Sequence, residues 1–182
     1  MKATGIVRRV DELGRLVIPK EIRRTMRLAE GTPLEIFTDR EGQIILKKYS
    51  PMMELGSFAK QYAESVAQTM NQKVAVSDRD QIIAVAGGGK RELLGKTISR
   101  QLEEMIINRE NSIQAGLDKK TIPLISGDED SYSAQAIYPI CCEGDCIGAV
   151  ILYSRENHTH FSETEYKAAA CAASFLGKQM EG

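Results

Sequence analysis

The apolar run Ile44-Ile-Leu passes through Lys47-Lys48-Tyr49-Ser50 into Pro51, and that proline most constrains how the chain folds. Proline cannot donate to a β-ladder and fixes its own φ, so a strand must stop there. The sequence thus divides into a module over 1–50, a linker over 51–54 and a larger module over 55–182. Charge divides at the same place. Residues 1–50 hold 11 Lys and Arg against 7 Asp and Glu, while 51–182 hold 13 against 18. Within 1–27 the excess sharpens to 8 against 3. Two modules with different partners explain such a split, the basic one facing an anion: nucleic acid, membrane or acidic protein.

In the first module the pattern predicts strands over 3–10 and 16–18 joined by a turn at Asp11-Glu12-Leu13-Gly14. Pro19 ends the second strand and suits the first position of a helix, so 21–26 reads as one and a half turns with Ile22 and Met26 inward. After Gly31, Leu34-Glu-Ile-Phe and Ile44-Ile-Leu read as a hairpin around Asp39-Arg-Glu-Gly42. Strands this short, in about fifty residues, bury little surface alone. The module is therefore expected to be an obligate dimer whose intertwined hairpins close a barrel.

The second module opens with a helix over 55–70, whose stripe is Leu55, Phe58, Ala59, Tyr62, Val66 and Met70. Strands are predicted over 74–76, 82–85, 122–125, 134–140 and 147–153, with a helix over 97–108 carrying Ile98, Leu102, Met105 and Ile106. Ser162-Glu-Thr-Glu165 is a capping box for a last helix over 163–180. About five strands flanked by helices make an α+β sheet domain. The two long apolar stripes suit either pairing with a second copy or cover for the domain's own sheet.

The first module carries Gly5-Ile-Val-Arg-Arg-Val-Asp-Glu-Leu-Gly-Arg-Leu-Val-Ile-Pro-Lys-Glu-Ile-Arg-Arg, and this run resembles the AbrB-type transition-state regulators, swapped-hairpin DNA-binding proteins. The resemblance covers about residues 1–50. It implies a dimeric swapped-hairpin β-barrel that lays basic side chains along double-stranded DNA, with contacts carried over to Arg8, Arg15, Arg23 and Arg24. Guanidinium forks suit such contacts because they bond phosphate or guanine bidentately. Lys2, Arg9 and Lys20, with Arg27, are expected to steer phosphates or to be solvated. With no long recognition helix, the readout is expected to respond to groove shape and to lean towards A·T-rich sites.

The second module resembles a GAF domain through Tyr138-Pro-Ile, a three-residue turn Glu143-Gly-Asp145, and Ile147-Gly-Ala-Val-Ile. GAF domains commonly pair through terminal helices and bind small molecules, so a homotetramer and an unidentified small-molecule ligand are expected. The cyclic-nucleotide signature of some GAF domains is not found. The order of modules resembles sporulation regulators of endospore-forming bacteria, implying a cytoplasmic regulator of late forespore genes that both activates and represses.

Other functions fit less well. Gly87-Gly-Gly-Lys90 lacks the Gly and Ser/Thr positions of a phosphate loop and reads as a strand-to-helix loop. Cys141, Cys142 and Cys146 have no second ligand pair for zinc, and Cys141 and Cys142 would face opposite sides of a strand, so thiols in a reducing compartment are expected. His158-Thr-His160 reads as solvent-exposed. No metal, cofactor, catalytic residue or membrane partner is expected. The alternative is a MazE-like antitoxin binding a toxin, but 55–182 is apolar enough to fold, unlike a disordered toxin-wrapping tail.

Overall fold

A computed structural model describes residues 4–49, 56–115, 121–128, 132–157 and 159–181. It falls into two units, Met1–Tyr49 and Ser50–Gly182. Lys2, Ala3, the 51–54 linker, Leu55 and His158 lie outside the described residues.

In the first unit, α1 (Lys20–Thr25) follows Pro19, and β1 (Leu34–Thr38) pairs antiparallel with β2 (Ile44–Lys48). Residues 4–10 and 16–18 join no ladder, contrary to the predicted strands. The reason is physical: β-rich composition makes a segment extended, but a strand exists only when another backbone answers its N–H and C=O groups. For the same reason the single chain closes no barrel among the described residues. Val7, Val10, Leu13 and Val17 are each at least 64% exposed, an apolar surface that a lone unit of this size leaves uncovered.

The second unit is a five-stranded antiparallel sheet between two helical layers. α2 (Gly56–Met70) precedes β3 (Lys73–Asp78) and β4 (Ile82–Ala86), and α3 (Lys90–Leu93) and α4 (Arg100–Ile107) follow. β5 (Ser112–Ala115), β6 (Ala134–Cys142), β7 (Asp145–Ser154) and α5 (Glu163–Lys178) complete it, with strand order β4-β3-β7-β6-β5. Residues 112–115 form one edge of the sheet and β4 the other. The predicted strand at 122–125 contributes only a bridge from Ile125 to Ile98.

Alternation along the central strands builds two cores. Val74, Val76, Val150 and Leu152 face α2 and α5, while Ala75, Ala149, Ile151 and Tyr153 face the α3 and α4 side with Leu93, Leu102 and Ile106. On α2 the buried residues are Ala59, Ala63 and Ala67, spaced four apart, and Phe58 is exposed. Of the predicted stripe, Phe58 is exposed and Tyr62 and Val66 are half-buried against this core, while the alanines are buried in it. On α5, Ala169, Ala172 and Ala173 do the same. The capping box forms as read: the Ser162 hydroxyl accepts from the Thr164 N–H, and the Glu165 carboxylate accepts from the Ser162 N–H at 2.7 Å. Ser99 caps α4 by accepting from the Leu102 N–H.

Candidate nucleic-acid interface

α1 is a six-residue helix with two chemically opposed sides. Pro19, Ile22 and Met26, three and four apart, line a largely apolar cavity of about 460 Å³ with Leu16, Leu34 and Leu46, and the charged Arg8 and Lys48 line it too. Lys20, Arg23 and Arg24 do not line that cavity and are exposed. The helix ends in a reverse cap, in which the Leu28 N–H reaches the Arg23 carbonyl at 2.7 Å and the Arg27 N–H reaches that of Arg24. Arg27 occupies the left-handed position, φ 51°, where glycine is usual. Nothing in the sequence marks that conformation. The result is a short helix whose last turn carries two exposed arginines, neither of which lines the apolar cavity.

Arg15 is positioned by a turn rather than a helix. The Asp11 carboxylate accepts from the Leu13 N–H, from the Arg15 N–H at 2.8 Å and from Arg15 Nε at 2.8 Å, while the Asp11 N–H reaches the Arg15 carbonyl. The bond from the Arg15 N–H, then that from its side chain, holds the Asp11 carboxyl below its ordinary range. Nε engages Asp11, and the Arg15 side chain is 70% exposed. The turn between β1 and β2 repeats this construction: Asp39 Oδ1 accepts from the Glu41 and Gln43 N–H groups, and the Asp39 N–H reaches the Gln43 carbonyl. Gly14 and Gly42 sit at φ 76° and 79° in the equivalent place. Asp11-x-x-Gly14-Arg15 and Asp39-x-x-Gly42-Gln43 are thus a five-residue repeat that sequence reading passed over, although its Asp and Gly spacing was there to see.

Of the predicted contacts, Lys20, Arg23 and Arg24 all fall on α1, and Arg15 is held on its own turn. Arg8 and Arg9 lie exposed on the segment outside any ladder, Arg8 donating to the Val7 carbonyl at 3.1 Å.

In the second unit the Arg155 guanidinium joins three segments. It donates to Glu92 at 3.0 Å, to Asp128 and to the Tyr132 hydroxyl, which itself donates to Asp128 at 2.6 Å. Burial, then the bond to Asp128, pushes the Tyr132 hydroxyl well above its ordinary range. The outer side of α2 and α5 carries aromatics: Tyr62 stacks on Phe175 at 4.9 Å, beside exposed Phe58 and Cys171. A polar cavity of about 320 Å³ is lined by Asn71, Gln72, Lys73, Tyr153, Ser154, Glu156 and Thr159. No group of three or more potential metal ligands occurs among the described residues, and His160 is exposed. The described residues include no helix long and apolar enough to cross a membrane.

The cysteines depart from expectation. The β6–β7 turn has two residues, Glu143 and Gly144, both at positive φ (48° and 87°), so Cys142 pairs with Asp145 and Cys141 with Cys146. Cys141 and Cys146 are joined by a disulfide, not present as separate thiols.

Comparison with known proteins matches residues 54–181 to the family described as stage V sporulation protein T C-terminal, transcription factor. Residues 7–53 match the family described as antidote-toxin recognition MazE, bacterial antitoxin. The chain is 49% identical to stage V sporulation protein T of Bacillus subtilis over 181 residues, spanning 100% of this chain and 99% of that one. Its N-terminal part resembles a second relative: it is 66% identical over 53 residues to the transition state regulatory protein AbrB of Bacillus subtilis, which is 29% of this chain and 54% of that one. The GAF domain of an Acinetobacter phosphoenolpyruvate-protein phosphotransferase superposes with TM-score 0.55 at 11% identity, over 74% of this chain and 84% of that one, which establishes the GAF fold. A swapped-hairpin-type N-terminal domain thus precedes a GAF-type domain, and the chain belongs to the stage V sporulation protein T family of transcription factors.

Proposed function

We propose that this transcription regulator binds double-stranded DNA through the basic side of α1. The carrying observation is the division of α1 itself: Ile22 and Met26 line the apolar cavity while Lys20, Arg23 and Arg24 stay out of its lining and are exposed. Docking of that basic side releases counterions from the duplex, and Arg15 on its rigid turn adds a guanidinium fork for phosphate or guanine. Arg8, Arg9 and Lys2 add steering charge. The uncovered apolar cavity and the ladderless residues 4–10 and 16–18 support a second copy whose hairpins complete the barrel, and this doubles the arginine set on a two-fold axis.

The outer aromatics of α2 and α5 support pairing of GAF domains, which would join two dimers into a tetramer. A small molecule would control such an assembly only by binding two of its arrangements with different affinity. Relatives in sporulation support a role in late forespore gene control, with activation and repression both served by the same DNA contact. The MazE-type match makes an antitoxin the second reading, though the full-length relative favours the regulator. Anisotropy of A·T-rich and G·C-rich duplexes at matched low salt tests the first: preferential binding of the A·T-rich duplex is expected. Absence of binding to either would refute it.

A further inference from the structure

The β6–β7 hairpin is built to bring two particular cysteines together. Its two-residue Glu143-Gly144 turn fixes the register, so Cys141 stands directly across from Cys146, and the register shifts only beyond them, between Ile140 and Cys141. Cys141 lies at an exposed position, whereas Cys146 is buried at 3% exposure. Two cations from other elements grip the same hairpin. Arg79, from the loop after β3, donates through Nε to the Cys146 carbonyl, and Arg109, beyond α4, donates to the Gly144 carbonyl.

The third cysteine of the cluster is set apart from this chemistry. Cys142 pairs with Asp145 and faces the other side of the sheet from Cys141. Burial, then the charges of Glu143 and Glu181, push its thiol up. A protonated thiol is a poor nucleophile in disulfide exchange.

We propose that Cys141 and Cys146 form a reversible dithiol–disulfide site that takes its oxidising equivalents from low-molecular-weight disulfides. The exposed Cys141 thiolate attacks a small disulfide RSSR, forming Cys141–S–S–R and releasing one thiolate RS⁻. The Cys146 thiolate then attacks the Cys141 sulfur, closes the Cys141–Cys146 bond and expels the second RS⁻. The protein loses two electrons and two thiol protons, and the small disulfide leaves as two thiols. In a compartment that keeps thiols reduced, the bond forms when that pool becomes oxidised. The C-terminal turn of α5 meets this hairpin at the backbone, since a side chain at Gly177 would run into the Cys141 carbonyl. The bond state is therefore felt by the helix that carries Phe175 and Cys171.

The test uses the full chain, reduced, freed of reductant, treated with oxidised glutathione, acid-quenched, alkylated and mapped by mass spectrometry. The expected product is an intrachain Cys141–Cys146 linkage that dithiothreitol reverses, at least about tenfold more abundant than any linkage through Cys142. Cys146→Ser should stop at a glutathione adduct on Cys141, and Cys142→Ser should close as the wild type does. Circular dichroism of each variant confirms that the fold is kept. Hydrogen exchange should slow at the end of α5 on closure. A stable glutathione adduct on wild-type Cys141, a bond through Cys142, or an unmodified Cys141 while Cys171 reacts would each overturn the proposal.

Discussion

Replacing Arg23 and Arg24 by alanine separates a DNA-facing role from a role inside the helix. Both side chains are exposed in the last turn of α1, where cations favour the carbonyl end of the helix dipole. If that were their purpose, the double variant would lose stability by a few tenths of a kcal/mol, about 0.3 for each exposed charge, and its DNA binding would be unchanged. The reverse cap uses the backbone of both residues, which alanine keeps, so α1 should remain folded. On the DNA-facing reading, a dimer loses four phosphate partners. The slope of log affinity against log salt then flattens by up to about 3.6, at about 0.9 per neutralised phosphate. Between 50 and 200 mM salt the wild type would lose roughly 150-fold more affinity than the variant. Fluorescence anisotropy with a labelled A·T-rich duplex over that range reads the difference, and a thermal melt checks the fold. Parallel lines for the two proteins would refute the reasoning, since removing cations that neutralise phosphates must flatten the slope.

Phe175→Glu, placing charge on the aromatic side of α5, should halve the mass measured by light scattering without altering far-ultraviolet dichroism; an unchanged mass sinks the proposed GAF pairing. Tyr132→Phe removes the hydroxyl that bridges Arg155 and Asp128, and chemical denaturation should show a loss of about 1–2 kcal/mol. Gly148→Ala drives a Cβ into the Ser77 carbonyl across the β3–β7 ladder, so a loss of about 1–3 kcal/mol is expected, and a neutral result would mean the strands separate more easily than their register implies. Asp11 has its carboxyl lowered from 3.8, chiefly by the Arg15 N–H. Its contribution to the turn is complete above that ordinary value and fades as pH falls through the lowered one. Amide shifts of Leu13 and Arg15 should titrate below pH 3.8, and Asp11→Asn should abolish the titration.

What could be read in advance depended on how local each cause is. The capping box at Ser162 and the β1–β2 hairpin are specified within a few neighbours, and both form as read. Residues 4–10 have the composition of a strand, but composition cannot supply the opposing backbone. The edge strand 112–115 escaped notice because four residues with one neighbour leave almost no alternation to detect. The cysteine pairing turned on a single residue of register. A three-residue turn would set Cys142 against Cys146, while the two-residue turn puts Cys141 there. At the basic site, the arginines were legible as charge and as a family pattern. The left-handed Arg27 and the Asp11 clamp on Arg15 were not, because both arise from backbone geometry that the residue types permit without announcing.

The two aspartate-clamped turns in the first unit have a kinetic consequence. Each closes within five residues, from bonds made by its own side chain and backbone, so each forms on the timescale of local chain motion. Residues 4–10 and 16–18, which lead away from the first turn, would find their ladder partners only in the proposed second copy. In that dimer, preformed turns with unfinished segments would make completion of the DNA-binding unit second order in chain concentration. At low expression, halving the number of chains would leave a quarter as many finished units, so a promoter reading them would respond to synthesis of this regulator as to a threshold.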